Sequence, residues 1–117
     1  MKRDETTPID PELLYAVGDG VATLTLNRPK KFNPISSVML DALESALDRA
    51  AADPEVRVVV LAASGPAFSA GHDLKEMMAN RTQEFIGGLF EHCSRVMLRI
   101  QSLPQPVVAR VHGIATA

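Results

Sequence analysis

A chain of 117 residues is enough for one small domain, which can bury about two-thirds of the surface its unfolded form exposes. Apolar residues at 46% and charged residues at 22% are ordinary soluble values. A net charge of −2, aromatics at 4% and the absence of tryptophan argue against nucleic acid or an anionic membrane as partner.

The opening segment "MKRDETTPIDPELL" has two early basic residues but no apolar core behind them, so it is not a secretory signal. Its acids argue against an organelle transit peptide. Residues 1–12 read as a polar lead-in, and residues 13–117 as a single domain. Next, "LLYAVGDGVATLTLNRP" reads as a hairpin. Two apolar runs, 13–17 and 21–26, flank the three-residue turn Gly18-Asp19-Gly20. Pro29 ends the second run, because proline donates no ladder hydrogen bond.

"SSVMLDALESALDRAAA" places Met39, Leu40, Leu43, Ala46, Leu47 and Ala50 at helical spacing. Ser36 or Ser37 can cap this helix, and Asp53-Pro54 stops it. "VRVVVLAAS", residues 56–64, is a mostly apolar, β-branched run. Such a run suits a strand covered on both faces. Residues 80–102 read as a second helix, with Phe85, Leu89, Cys93, Val96, Met97 and Ile100 on one side. Asn80 with Gln83 would form a variant capping box. Pro104 and Pro106 break that helix, and a strand follows over 107–111.

The order is β-β-α-β-loop-α-β, an α/β arrangement with helices packed on a sheet. Ligands in such sheets gather beyond the carboxyl ends of the strands. The loop over 65–76 and the segment from Gly113 onward both lie there, as candidate walls of one site. No run approaches the roughly 20 apolar residues of a membrane span. Cys93 is the only cysteine, which excludes an intrachain disulfide and fits a reducing, cytoplasmic location.

Two motifs carry candidate chemistry. In "PAFSAGHDLKEM", Ala70 and Gly71 leave room for a sharp turn and a close ligand. A short helical turn starting near Asp73 would leave the N–H groups of residues 71–74 unpaired and outward. Such donors stabilise charge developing on a carbonyl oxygen, by about 3 kcal/mol each in acyl-transfer sites. The plainer alternative is a loop with an Asp cap. In "NRPKKFNPIS", Arg28, Lys30 and Lys31 could meet phosphate or simply form a solvated basic turn. His72, His92, His112 and Cys93 have no metal-ligand spacing, so no metal is expected. Ser69 lacks the nucleophile elbow. His92 reads as a helix-surface residue and Cys93 as a core thiol.

Together, "LTLNRPKKFNPIS", "VVVLAASGPAFSAGHDLKEM" and "PQPVVARVHGIATA" resemble the first half of the enoyl-CoA hydratase/isomerase (crotonase) family. The G-H-D-L-K-E form is similar to its hydratase domain-containing subgroup. The resemblance implies an incomplete crotonase-like ββα spiral, from a family that assembles as trimers or dimers of trimers. It implies an acyl-CoA thioester as ligand, with coenzyme A part of the substrate and no separate cofactor. The His72 backbone N–H would be one oxyanion-hole donor, with the carbonyls of Ala70 and His72 near the adenine. Asp73, Leu74 and Lys75 would line the coenzyme A site, and Phe32 and Pro34 would touch the pantetheine or nucleotide. The family's second oxyanion donor would be residue 118, and its catalytic carboxylates come later still. The resemblance thus implies an enzyme family, lyase or isomerase, and for this chain alone either part of such a site or a truncated, inactive module that binds coenzyme A or assembles with partners. It also implies marginal stability, with an open sheet edge and uncovered apolar surface.

Overall fold

A computed structural model describes residues 5–10 and 12–116. Met1–Asp4, Pro11 and Ala117 lie outside the described residues, so the lead-in is tested only over its middle. There the backbone departs from expectation. Residues Glu5–Asp10 form a strand, β1, antiparallel to β2 (Leu13–Gly18), with an irregularity between Pro8 and Asp10. Composition hides this strand because proline and acids are poor strand formers. An outer strand nevertheless tolerates proline where no ladder N–H is needed.

The hairpin of β2 and β3 (Val21–Leu26) turns on two residues rather than three, since Gly18 pairs with Val21. Asp19 and Gly20 both have positive φ, 53° and 81°, the signature of the primed turn that matches strand twist. After a 3₁₀ turn at Pro29–Lys31, helix α1 spans Ser37–Ala52. Ser36 supplies the N-cap, its Oγ accepting from Met39 N at 3.0 Å. Strand β4 (Val58–Ala63) then pairs in parallel with β3, Leu24 opposite Leu61.

The chain continues through β5 (Ala67–Ser69), α2 (Leu74–Ala79), α3 (Gln83–Ser102), β6 (Val107–Ala109) and β7 (Ile114–Ala115). One sheet has the order β1-β2-β3-β4-β6, and β5 pairs in parallel with β7 in a second. The expected helix over 80–102 is α3, starting three residues later at Gln83, and the short α2 precedes it as a separate helix. Asn80 closes α2 by donating its backbone N–H to Met77, and Thr82 caps α3 by accepting from Phe85 N at 3.1 Å. The threonine hydroxyl, not an Asn80–Gln83 box, therefore sets the start of α3.

Alternation along the hairpin places Leu13, Tyr15, Val17, Ala22, Leu24 and Leu26 on one buried face. Met39, Leu40, Leu43, Leu47 and Ala50 of α1 pack on it, joined by Leu89 and Val96 of α3. β4 is less enclosed than its run of apolar residues predicts. Val59 and Ala62 are buried, while Val58, Val60 and Leu61 are only half-buried. β6 forms the open edge of the sheet, with Val108 exposed.

Helix α3 lies beside α1 in the same direction, joined by carboxylate rungs. Arg95 Nε donates to Glu44 Oε2 at 3.1 Å, and Arg99 Nε to Asp48 Oδ1 at 2.9 Å. His92 Nε2 lies 3.1 Å from Glu44 Oε1, so this residue bridges helices rather than standing free on a surface. Cys93 is half-buried against the core. The Arg95 guanidinium, and then His92, hold the Glu44 carboxyl below the usual carboxylate range. A depressed folded pKa stabilises above the unfolded value of about 4.3, and that contribution is lost as pH falls through the folded value. The stability difference between the native chain and Glu44→Gln should therefore shrink between neutral pH and about pH 3. Because the pair is largely solvated, the whole effect stays under about 1 kcal/mol. Urea midpoints at several pH values check this; a gap independent of pH would refute it.

Candidate functional site

The corner after β5 is built by two strands of main chain lying side by side. Ala70 N donates to Phe32 O at 2.8 Å, Ile35 N to Gly71 O at 2.7 Å, and Asp73 N to Ile35 O at 2.9 Å. This ladder brings the segment holding Phe32 and Pro34 beside residues 70–73. Gly71 makes the bend with φ 89°, a conformation glycine adopts without steric cost. Asp73 is the N-cap of α2, its Oδ1 accepting from Glu76 N at 3.1 Å.

Four unpaired N–H groups were expected at 71–74, and the structure corrects this. Gly71 N donates to Ser69 Oγ at 3.1 Å, and Asp73 N is bound to Ile35 as above. Among the described residues, the N–H groups of His72 and Leu74 have no acceptor. The reason is strand geometry: successive N–H groups point to opposite sides, so pairing of 71 and 73 with the core turns that of 72 away. His72 N–H thus remains a held, unoccupied donor between two bonded neighbours. The His72 side chain points elsewhere, its ring 5.1 Å from that of Phe90 on α3 in an edge contact, with Nε2 buried and without a partner among the described residues.

Asn33 organises the corner and went unnoticed in the sequence. It is fully buried with φ 51°. Its Oδ1 accepts from Arg28 N at 2.7 Å, and its Nδ2 donates to Ser64 O at 2.9 Å and Ala67 O at 3.0 Å. One amide therefore ties the end of β3 to both sides of the turn before β5. The available signal was an asparagine before proline in a loop, since asparagine tolerates left-handed backbone. Ser69 Oγ donates to Asn33 O at 2.9 Å besides accepting from Gly71 N, so it serves the scaffold. Glu76 grips the start of α1: its Oε1 accepts from Ser37 N at 2.9 Å and its Oε2 from Ser37 Oγ at 2.6 Å.

The remaining predicted residues lie at the rim. Ala70, Lys75, Leu74 and Phe32 are exposed, and Pro34 is half-buried. Arg28 is drawn inward, its Nη1 lying 3.5 Å from Glu12 Oε1 and 3.9 Å from Asp73 Oδ2. Lys30 and Lys31 stay exposed, and with Asn27, Arg28 and Pro29 they line an open hollow of about 390 Å³. A second hollow of about 450 Å³ is apolar, walled by Leu26, Leu61, Phe68, Met97 and Ile100, with Ser69 and Thr116 at its edge. The two loops expected as walls of one site both border this hollow and are directly joined. Thr116 N donates to Ser69 O at 3.0 Å, and His112 Nε2 lies 2.7 Å from Gly65 O. No helix among the described residues is long and apolar enough to cross a membrane.

Comparison with known proteins converges on one family. The enoyl-CoA hydratase/isomerase family model matches residues 16–117. Human enoyl-CoA hydratase domain-containing protein 3, mitochondrial, is 39% identical over 99 residues, covering 85% of this chain and 33% of that protein. The trans-2-decenoyl-[acyl-carrier-protein] isomerase of Streptococcus mutans is 36% identical over 106 residues, covering 87% of this chain and 40% of that protein. Among solved structures, an enoyl-CoA hydratase of Mycobacterium smegmatis superposes with a TM-score of 0.88 at 59% identity, covering 92% of this chain and 42% of that one. The chain spans about a third of the human relative's length. With its strand order, its corner and its matched span in agreement, the chain belongs to the enoyl-CoA hydratase/isomerase family and carries part of the crotonase fold.

Proposed function

We propose that this chain contributes the acyl-CoA-binding half of a hydratase or isomerase site, with the His72 N–H polarising a thioester carbonyl. The observation that carries this reading is the unpaired His72 N–H, held between two amides committed to Ser69 and Ile35. A donor fixed before the ligand arrives needs no reorganisation when negative charge develops on the carbonyl oxygen. The exposed Lys30 and Lys31 suit the phosphates of coenzyme A. The apolar hollow behind Ser69 suits an acyl chain. Phe32 and Pro34 at the rim would touch the pantetheine or nucleotide. Ala70, Asp73, Leu74 and Lys75 would line the coenzyme A site, with coenzyme A entering as part of the substrate.

A specific observation favours binding without turnover as the second reading. The carboxylates next to His72 are occupied: Asp73 caps α2 and Glu76 holds Ser37. Neither stands ready as the general acid or base that adding water requires. On this reading the chain binds and polarises the thioester without turning it over, as a coenzyme A-binding or assembly module. A cytoplasmic location is part of the proposal and rests on Cys93 being the sole, unpaired thiol.

The test is the thioester carbonyl stretch of bound acyl-CoA, read by infrared difference spectroscopy on the native chain and on His72→Pro. The native chain should lower that frequency, and the variant, lacking the N–H, should not. Circular dichroism checks that the variant keeps its fold. An unshifted carbonyl in the native chain would remove His72 from the site. Measurable hydration of crotonyl-CoA by the native chain would overturn the binding-only reading.

A further inference from the structure

We propose that Asp41, Glu44 and His92 form a site for a divalent cation of zinc-like chemistry, clasping α1 to α3. None of the three belongs to the candidate acyl-CoA site. Sequence spacing offers no such set, because the ligands come from two helices 48 or more positions apart. Asp41 and Glu44 are three residues apart on α1 and share a face. His92 meets that face from α3.

The three groups converge closely enough to share one cation, although His92 and Glu44 already lie at hydrogen-bond distance. His92 Nε2 lies 3.1 Å from Glu44 Oε1 and 3.7 Å from Asp41 Oδ1. All three candidate ligand atoms lie within 4.8 Å of one another. Around a tetrahedral zinc, with bonds of about 2.0–2.2 Å, neighbouring ligand atoms sit about 3.3–3.5 Å apart. The two observed separations bracket that edge length. A single Nε2 cannot donate its one proton well to both oxygens, but a cation can be shared by all three.

The charges point the same way. Along this helix pair, the two following rungs set a guanidinium on a carboxylate: Arg95 on Glu44 and Arg99 on Asp48. At the first rung an imidazole replaces the guanidinium. Two carboxylates there share one arginine, and Asp41 meets only His92 among the described residues. Neutral imidazole offers a lone pair to a metal and no compensating charge. Arg95 holds Glu44 through Oε2, leaving Oε1 turned towards His92. That is the outer-shell contact which fixes a monodentate carboxylate. The His92 side chain is 14% exposed and that of Asp41 76%, so the ion would enter from solvent and keep water in its fourth position.

The test uses zinc chloride and cobalt chloride as probes of the full chain. Calorimetry should find one zinc per chain, and zinc should raise the thermal midpoint, since an ion bound only to the folded state stabilises it. His92→Gln should weaken zinc at least about tenfold, and so should Asp41→Asn, whose exposed side chain is not part of the core. His112→Gln should leave binding unchanged. Cobalt should give visible d–d bands without a thiolate charge-transfer band. No zinc binding, or equal binding by the native chain and both ligand variants, would overturn the proposal. A thiolate band would assign the ion to Cys93 and overturn it as well.

Discussion

Replacing Asn33 with alanine is expected to lower the unfolding free energy by about 3 kcal/mol or more. Three hydrogen bonds disappear together, leaving Arg28 N and the carbonyls of Ser64 and Ala67 without their side-chain partner. Buried polar groups left unmatched cost about 1–3 kcal/mol each, and here water can replace only part of what is lost. Alanine would also have to hold the left-handed φ of 51°, adding about 1 kcal/mol. Since the same amide positions the turn before β5, the variant should lose acyl-CoA affinity together with stability. Asn33→Asp separates the parts. It keeps an acceptor for Arg28 N and tolerates the backbone, but it sets negative charge against two carbonyls. Both variants should be destabilised in urea titrations, alanine at all four contributions and aspartate at the donor side. A loss under about 1 kcal/mol for Asn33→Ala would mean that the corner is held by its main-chain ladder alone.

Gly113→Ala should break the join between the two loops. Gly113 has φ 60°, and a Cβ there would strike the carbonyl oxygen of Pro66. The obstacle is backbone, which cannot swing aside as a long side chain can. Left-handed strain alone costs about 1–2 kcal/mol, so the total should reach about 2 kcal/mol or β7 should detach from β5. Hydrogen exchange distinguishes these outcomes from no effect. The Thr116 amide, bonded to Ser69 O at 3.0 Å, should exchange faster in the variant, while Leu24 and Leu40 in the core stay protected. Unchanged exchange at Thr116 would show that the segment adapts and that Gly113 is not the constraint. Because Ser69 also receives the Gly71 N–H, loosening β5 should disturb the neighbouring His72 donor. Gly113→Ala should therefore weaken acyl-CoA binding without touching a ligand directly.

Local periodicity determined the parts of this protein that depend on local physics. Alternation in "LLYAVG" and "VATLTL" named the hairpin, and the buried stripe of α1 followed from helical spacing, because each residue's face is set by its own element. The Asp73 cap and the bend at Gly71 were legible for the same reason, as short polar side chains and glycine act within a few residues of chain. The family likeness, too, was visible in three motifs and places this chain within the enoyl-CoA hydratase/isomerase group.

Tertiary structure alone decided what depends on partners distant in sequence. The strand at Glu5–Asp10 exists because β2 offers it an edge, not because its residues favour strands. Which of the amides at 71–74 stay free was settled by Ile35 O and Ser69 Oγ, and no spacing rule links Asp73 to Ile35 or Ser69 to Asn33 across such a stretch of chain. Asn33 reads as an ordinary loop residue until three chain segments close around its amide. His92 reads as a surface histidine until α1 brings it two carboxylates. Hydrogen bonds and charges act over a few ångströms of space, whatever the distance along the chain, so only folding could bring these groups into range.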